Sequence, residues 1–187
     1  MTRILVPVGL LIFGFSLGVS AFKEGPYPNV TGGFGEQTCH LCHLDNPINA
    51  PGGAIALDGI PAAFTPGQTY PITVTISRAG LRRGGFEIAA RFAGGKQKGR
   101  QAGSWRLDDT RAQLIPGAVD KVLTFVQHNL AGSRVAATGA NSWTIDWTAP
   151  PSAVPIQFNV AANASNNDDS PLGDYIYVKT TKSVPAK

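Results

Sequence analysis

Strict alternation of apolar and polar residues, in short runs that never lengthen into a helical period, is what most limits the folds open to this chain. Trp143, Ile145 and Trp147 alternate with Thr144, Asp146 and Thr148. Ile72, Val74 and Ile76 alternate with Thr73, Thr75 and Ser77, and Ile156, Phe158, Val160 and Ala162 with Gln157, Asn159 and Ala161. Phe86, Ile88, Ala90 and Phe92 share one face of a run whose other face carries Glu87, Ala89 and Arg91. A period of two places successive side chains on opposite faces of a strand. Shorter candidates are Ala54 to Ile60 and Ser104 to Leu107. Val122 to His128, apolar on both faces, reads as a central strand, and Asp174 to Thr181 closes the series. Turn chemistry separates the runs, as at Pro66-Gly67-Gln68 and Pro150-Pro151.

Seven or eight short strands without an amphipathic helix predict an all-β protein, an immunoglobulin-like antiparallel β-sandwich spanning residues 54–182, with 183–187 as a tail. Its expected core includes Phe86, Phe92, Trp143, Trp147 and Phe158. A chain of 187 residues suffices for one such core.

The sequence before the sandwich has a different character. Met1-Thr2-Arg3 is a short basic start, Ile4 to Val19 is apolar, and Val19-Ser20-Ala21 has the small residues of a cleavage site. Residues 1–21 therefore read as a signal peptide cut after Ala21, the alternative being an uncleaved anchor. Export places the product in the periplasm, outside the cell or at its surface. It would meet a membrane only through partners or an uncleaved N-terminal segment. Residues 22–53 are rich in Gly and Pro and read as an irregular arm, with a loose linker as the alternative.

Within the arm, Cys39-His40-Leu41-Cys42-His43 has the Cys-x-x-Cys-His spacing used for covalent haem attachment. Two thiols at this spacing each form a thioether to one vinyl group, and the next residue supplies the proximal imidazole. Cys39 and Cys42 are the only cysteines. They predict one covalently bound haem c with His43 on its iron. The alternatives are a redox dithiol or a small disulfide. Zinc fits less well, since such sites bring a second pair or a further His motif.

A second axial ligand decides what the iron can do. Met1 is the only methionine and leaves with the signal peptide, which removes a His/Met site. His40, between the cysteines, is badly placed for the distal face. His128 stands at a strand end, where it can point from the sandwich toward the arm, and is the candidate distal ligand. Its alternative is a hydrogen-bonded core or rim histidine. Two imidazoles give a closed, low-potential iron suited to electron transfer. An open iron would instead suit a peroxidase or a sensor.

The formal net charge of +4 says little about partners. Arg78, Arg82, Arg83, Arg91, Lys96, Lys98, Arg100 and Arg106 fall in one stretch with Glu87 as its only acidic residue. These charges serve solubility, a docking face for an acidic redox partner, or a clamp on haem propionates. Nucleic acid is not expected, because the run lacks interleaved aromatics. No paired carboxylates, nucleophile elbow or phosphate loop suggests chemistry without haem.

These motifs come in a familiar order. Thr31-Gly32-Gly33-Phe34-Gly35-Glu36 leading into the Cys pair, Pro66-Gly67-Gln68-Thr69-Tyr70, Gly85-Phe86-Glu87, His128, Trp143 to Pro150, and Gly173-Asp174-Tyr175-Ile176-Tyr177 resemble secreted bacterial Reeler-like β-sandwich proteins with an N-terminal haem motif, of the choice-of-anchor type. The resemblance covers residues 31–181. It implies a Reeler-type sandwich, secreted or at the cell surface, with a c-type haem at its N-terminal end, and implies no enzymatic activity. The functional expectation is a monohaem c-type cytochrome passing single electrons outside the cytoplasmic membrane, as part of a larger redox assembly. Its partner would be a redox protein, a membrane complex or further copies of itself. A secreted binding or adhesion module, secured by haem or a disulfide, is the rival.

Overall fold

A computed structural model describes residues 22–186. The expected export segment lies outside the described residues. Ten strands form two packed sheets: β1 (Gly53–Asp58), β2 (Ala63–Phe64), β3 (Thr69–Arg78), β4 (Arg83–Phe92), β5 (Ser104–Arg106), β6 (Ala112–Pro116), β7 (Thr124–His128), β8 (Ala140–Thr148), β9 (Ile156–Ser165) and β10 (Tyr175–Pro185). One sheet has the order β1-β3-β8-β5 and the other β2-β10-β9-β4-β7-β6. Every pairing is antiparallel except β2 with β10. The all-β sandwich expected from the alternation is the fold. Among the described residues no helix is long and apolar enough to cross a membrane.

Alternation puts the apolar set of each sheet inward. Ile72, Val74, Ile76, Trp143, Ile145 and Trp147 from one sheet meet Phe86, Ile88, Phe158, Val160 and Tyr177 from the other, all essentially without solvent access. Trp147 packs edge-on against Phe158 with ring centroids 4.8 Å apart. The buried indole N–H groups find acceptors: Trp143 donates to Gly132 O and Trp147 to Ala102 O, each at 3.0 Å. That satisfaction matters because an unpaired buried donor costs about 1–3 kcal/mol.

Four details differ from the sequence reading. β2 and β6 were not expected. The expected tail belongs to β10, where Ser183 is buried and Val184 pairs with Ala63. β7 begins only at Thr124; Val122 precedes it in the β6–β7 turn and is 75% exposed. β7 also lies one strand from the sheet edge and meets β4 through only two register pairs.

The arm, residues 22–52, lies on the outer face of the six-stranded sheet. Gly33 approaches so closely that a Cβ there would stand 2.4 Å from the Asn159 side chain. Val30 N–H donates to Glu87 Oε1 at 2.8 Å, and Glu36 pairs with Arg91. Farther along, Asn49 N–H donates to Ile176 O at 2.9 Å, Val178 N–H to Asn49 Oδ1 at 2.8 Å, and Tyr177 O–H to Ala50 O at 3.0 Å. The arm thereby supplies partners to the first part of β10, whose pairing with β2 involves only Val184 and Pro185.

Candidate functional site

A tight turn in the arm presents the cysteine motif. Thr31 and Thr38 form an isolated antiparallel bridge, and Gly32 N–H donates to Gln37 O at 2.8 Å. Thr38 then caps a single 3-10 turn, Cys39–Leu41, its hydroxyl accepting from His40 N–H at 3.1 Å. His43 N–H closes back on Cys39 O at 3.2 Å. Cys39, Cys42 and His43 are thus held on one short turn.

His43 rests against the start of β10 and the end of β9. Its Nδ1 lies 2.8 Å from Asp174 Oδ2, and Asp174 is only 1% exposed. Asn163 Nδ2 donates to the same carboxylate oxygen at 3.0 Å, and Asn166 N–H donates to Asp174 Oδ1 at 3.2 Å. A carboxylate on Nδ1–H favours that tautomer and leaves the electron pair on Nε2, which faces Asn163 Nδ2 at 3.3 Å. Asn163 Oδ1 is buried and has no hydrogen-bond partner among the described residues.

His128 is 7% exposed. Continuing the register Ile88 to Val126 and Glu87 to Gln127 would set Phe86 opposite the His128 backbone. Instead Phe86 N–H donates to His128 Nδ1 at 3.0 Å, with Phe86 O 3.3 Å from the same nitrogen. Two tautomers are therefore available. Only the one with the proton on Nδ1, shared with Phe86 O, frees Nε2. The ring lies over Gly85, where an added Cβ would stand 2.6 Å from Cε1. Gly84 faces the opposite sheet, toward Asn141 and Ile76, so Gly85 faces outward, and glycine there leaves the imidazole its place. Burial pushes the pKa of His128 down to about 4, opposed by the Phe86 carbonyl and assisted by the Arg83 charge. The ring is neutral at pH 7, as a metal ligand must be.

Gly85 and Asn163 are register partners on neighbouring strands. His128 lies over one and His43 lies beside the other, so both imidazoles stand on the same outer face. Cys39, Cys42, His43 and His128, expected from the sequence as one site, all line a single cavity that is partly open to solvent. Phe22, Pro26, Tyr27, Val30, Leu41 and Phe86 make its walls apolar. Lys23, Arg83, Ser133 and Ser165 add a polar, cationic portion.

The Cys39 sulfur is not primed as an ion. Burial pushes the Cys39 thiol up to about 12, and the nearby Glu87 carboxylate pushes the same way. Thiolates are what bind zinc and attack disulfides, whereas a thioether sulfur is neutral and suits an apolar wall. Among the described residues no three His, Cys, Asp or Glu side chains converge on one metal position. The donor set, the orphaned Asn163 oxygen and the apolar walls together fit a flat prosthetic group with two attachment points. Arg83 suits an acidic edge of such a group. Its Nε donates to Asn167 Oδ1 at 2.7 Å and its Nη1 to Ser133 Oγ at 2.5 Å, which holds the guanidinium in place.

The other expected site features are dispersed. His40 turns away, with Nε2 3.0 Å from Asn46 O. The basic stretch does not form one face. Arg78 binds Tyr177 Oη at 2.6 Å and stacks on Tyr175, Arg91 is buried under the arm, and Arg106 pairs with Asp108 and Asp146. Asp174, Asn163 and Gly85 were not recognised as site residues from the sequence. A glycine between two alternating runs and an aspartate before a tyrosine-rich strand were the only signals available.

No family model matches the chain, and no curated protein matches it. Among solved structures it is similar to the Reelin-N domain of F-spondin, with 17% identity, TM-score 0.48, 80% of this chain covered and 96% of that one. It is similar to the human F-spondin reeler domain at 17% identity and TM-score 0.46, covering 79% and 98%. A cohesin module from a Clostridium perfringens family 33 glycoside hydrolase gives 7% identity and TM-score 0.47, covering 73% and 98%.

Proposed function

We propose that the protein is a monohaem c-type cytochrome that carries single electrons outside the cytoplasmic membrane. One haem c would be held covalently by Cys39 and Cys42. The observation that carries this reading is the convergence of Cys39, Cys42 and His43 with His128, remote in sequence, around one cavity. A haem bound there supplies a one-electron iron couple.

The chain's own residues have separate tasks. His43 offers Nε2 because Asp174 holds its Nδ1–H. His128 offers a second neutral imidazole from the sandwich side, in the tautomer that gives its Nδ1 proton to Phe86 O. Phe22, Tyr27, Val30 and Phe86 would shield a bound haem from water, and Arg83 and Lys23, the latter paired with Asp169, would offer positive charge to its propionates. Two imidazole ligands would leave a haem iron no position for peroxide or oxygen, which would favour electron transfer over catalysis. A redox partner is implied, either a membrane complex, a soluble protein or further copies of this chain. The signal-like N-terminus supports a periplasmic, extracellular or surface location.

A pyridine haemochrome spectrum and the intact mass of protein matured with a haem-attachment system test the proposal. The expected result is a covalent adduct, a low-spin spectrum and slow carbon monoxide binding. His128→Ala should convert the spectrum to high spin with the adduct retained. A bare polypeptide mass, with the sulfurs free or joined to each other, would end this reading. Rapid carbon monoxide binding to the native reduced protein would replace it with an open-iron peroxidase or sensor.

A further inference from the structure

The outer face of the six-stranded sheet buries a charge cluster that the proposed electron carrier does not need. Glu87 sits in the middle of β4 with 0% exposure. Its Oε1 accepts from Val30 N–H at 2.8 Å. With the Gln127 amide turned to suit its neighbours, that side chain donates to Glu87 Oε2 at 3.2 Å and to Pro26 O at 3.0 Å. Arg91, the buried cation of the group, pairs with Glu36 instead. Its guanidinium also lies over Phe34 and Phe125, 5.2 and 5.3 Å from the ring centres. Glu36 is further engaged by Asn29 Nδ2 at 2.8 Å and Thr31 Oγ1 at 2.5 Å.

Two carboxylates therefore share one guanidinium, and the second carboxylate is left with neutral donors. A buried, uncompensated carboxylate takes up a proton. The cluster also adjoins the cavity. Val30, whose N–H holds Glu87, lines it, and so does Cys39, whose thiol the Glu87 charge disfavours ionising.

We propose that Glu87 is a proton-binding site coupled to the redox state of the cavity, so that the protein moves a proton with its electron. The proposal rests on the haem reading above. On reduction, a one-electron donor protein gives one electron, ferric iron becomes ferrous, and the Glu87 carboxylate takes one proton from solvent to become the neutral acid. Oxidation by the acceptor returns both. The added electron is thus neutralised inside a low-dielectric wall, where an unscreened charge would act strongly. Burial already pushes Glu87 up to about 8, with the Glu36 charge acting in the same direction and the Val30 hydrogen bond and the Arg91 charge opposing. The groups facing it are Glu36 and Asn29 from the arm, Cys39 from the 3-10 turn, Arg91 from β4 and Gln127 from β7. Among the described residues no histidine is one of them.

The test uses the matured protein, with its haem content checked on the same sample. The midpoint potential is followed from pH 6 to 9. The wild type should become harder to reduce as pH rises, by up to tenfold per pH unit in the redox equilibrium, which is 59 mV for one electron. Glu87→Gln should flatten that dependence while keeping the low-spin spectrum. Reduced-minus-oxidised infrared spectra should show a protonated carboxyl band that the variant lacks. A wild-type potential independent of pH overturns the proposal even if Glu87→Gln fails to load haem. An equal slope in wild type and variant overturns it too. Absence of haem in the wild type would instead defeat the reading on which it rests.

Discussion

The two outer faces of the sandwich carry similar sequences and have opposite fates. On the four-stranded sheet, Thr73 and Thr144 are register partners with hydroxyls 3.0 Å apart, and Thr69 and Thr148 lie 2.8 Å apart. These side chains meet solvent, and threonine's branched carbon suits a strand surface. On the six-stranded sheet, Glu87, Arg91, Gln127 and Asn159 are polar at the same alternating positions, yet all are buried beneath the arm. Alternation reveals which residues face away from the core. It does not reveal whether something covers them. The covered face has the low dielectric that shifts the ionisations of Glu87 and His128.

The difference can be broken most forcefully through Glu87. Its folded pKa, pushed up to about 8 by burial, lies above the ordinary 4.5. Stability from this group is fully present below about pH 4.5, is lost as pH rises through 8, and is level beyond. The loss has a ceiling of about 5 kcal/mol. Urea melts of wild type against Glu87→Gln, from pH 5 to 9, should show the slope only in the wild type. Next in size is Arg91→Leu, which leaves Glu36 and Glu87 buried without a cation. We expect it to destabilise by about 3–5 kcal/mol at pH 7. Gly85→Ala should follow, at about 1–3 kcal/mol, because its Cβ meets the His128 ring. A change in the visible spectrum of the matured protein would accompany it. On the open face, Thr73→Ala should change the melting free energy by less than about 0.5 kcal/mol at any pH. A pH-dependent effect there would erase the distinction between the faces.

Much of the sandwich was legible because long alternating strands carry their own signal. β3, β4, β8 and β9 were placed with small errors at their ends. β2 was not, since two residues have no period and Ala63 and Phe64 are defined only by their distant partners Val184 and Pro185. β6 was hidden by its polar approach, Asp108-Asp109-Thr110, and by its terminal Pro116, and its Leu114 is exposed as on an edge strand. Val122 misled because it is apolar and yet solvent-facing. In the site, Cys39, Cys42 and His43 were readable from local spacing, and His128 from its place at a strand end. Asp174, Asn163 and Gly85 depend on which strands lie side by side, which spacing does not encode. Glu87 read as an ordinary solvent-facing strand residue, because nothing local shows that an N-terminal arm will lie across it.

The high ionisation point of the Cys39 thiol has a bearing on biogenesis. A sulfur reluctant to shed its proton is a slow nucleophile once the arm is docked, and the arm that bears it is then pinned at Val30 by Glu87 and at His43 by Asp174. On the haem proposal, thioether formation at that sulfur would have to precede docking of the arm. The molecule would thus be assembled in a fixed sequence, with modification first and closure of the arm afterwards, and an arm that closed too early would lock out the enzyme meant to reach it.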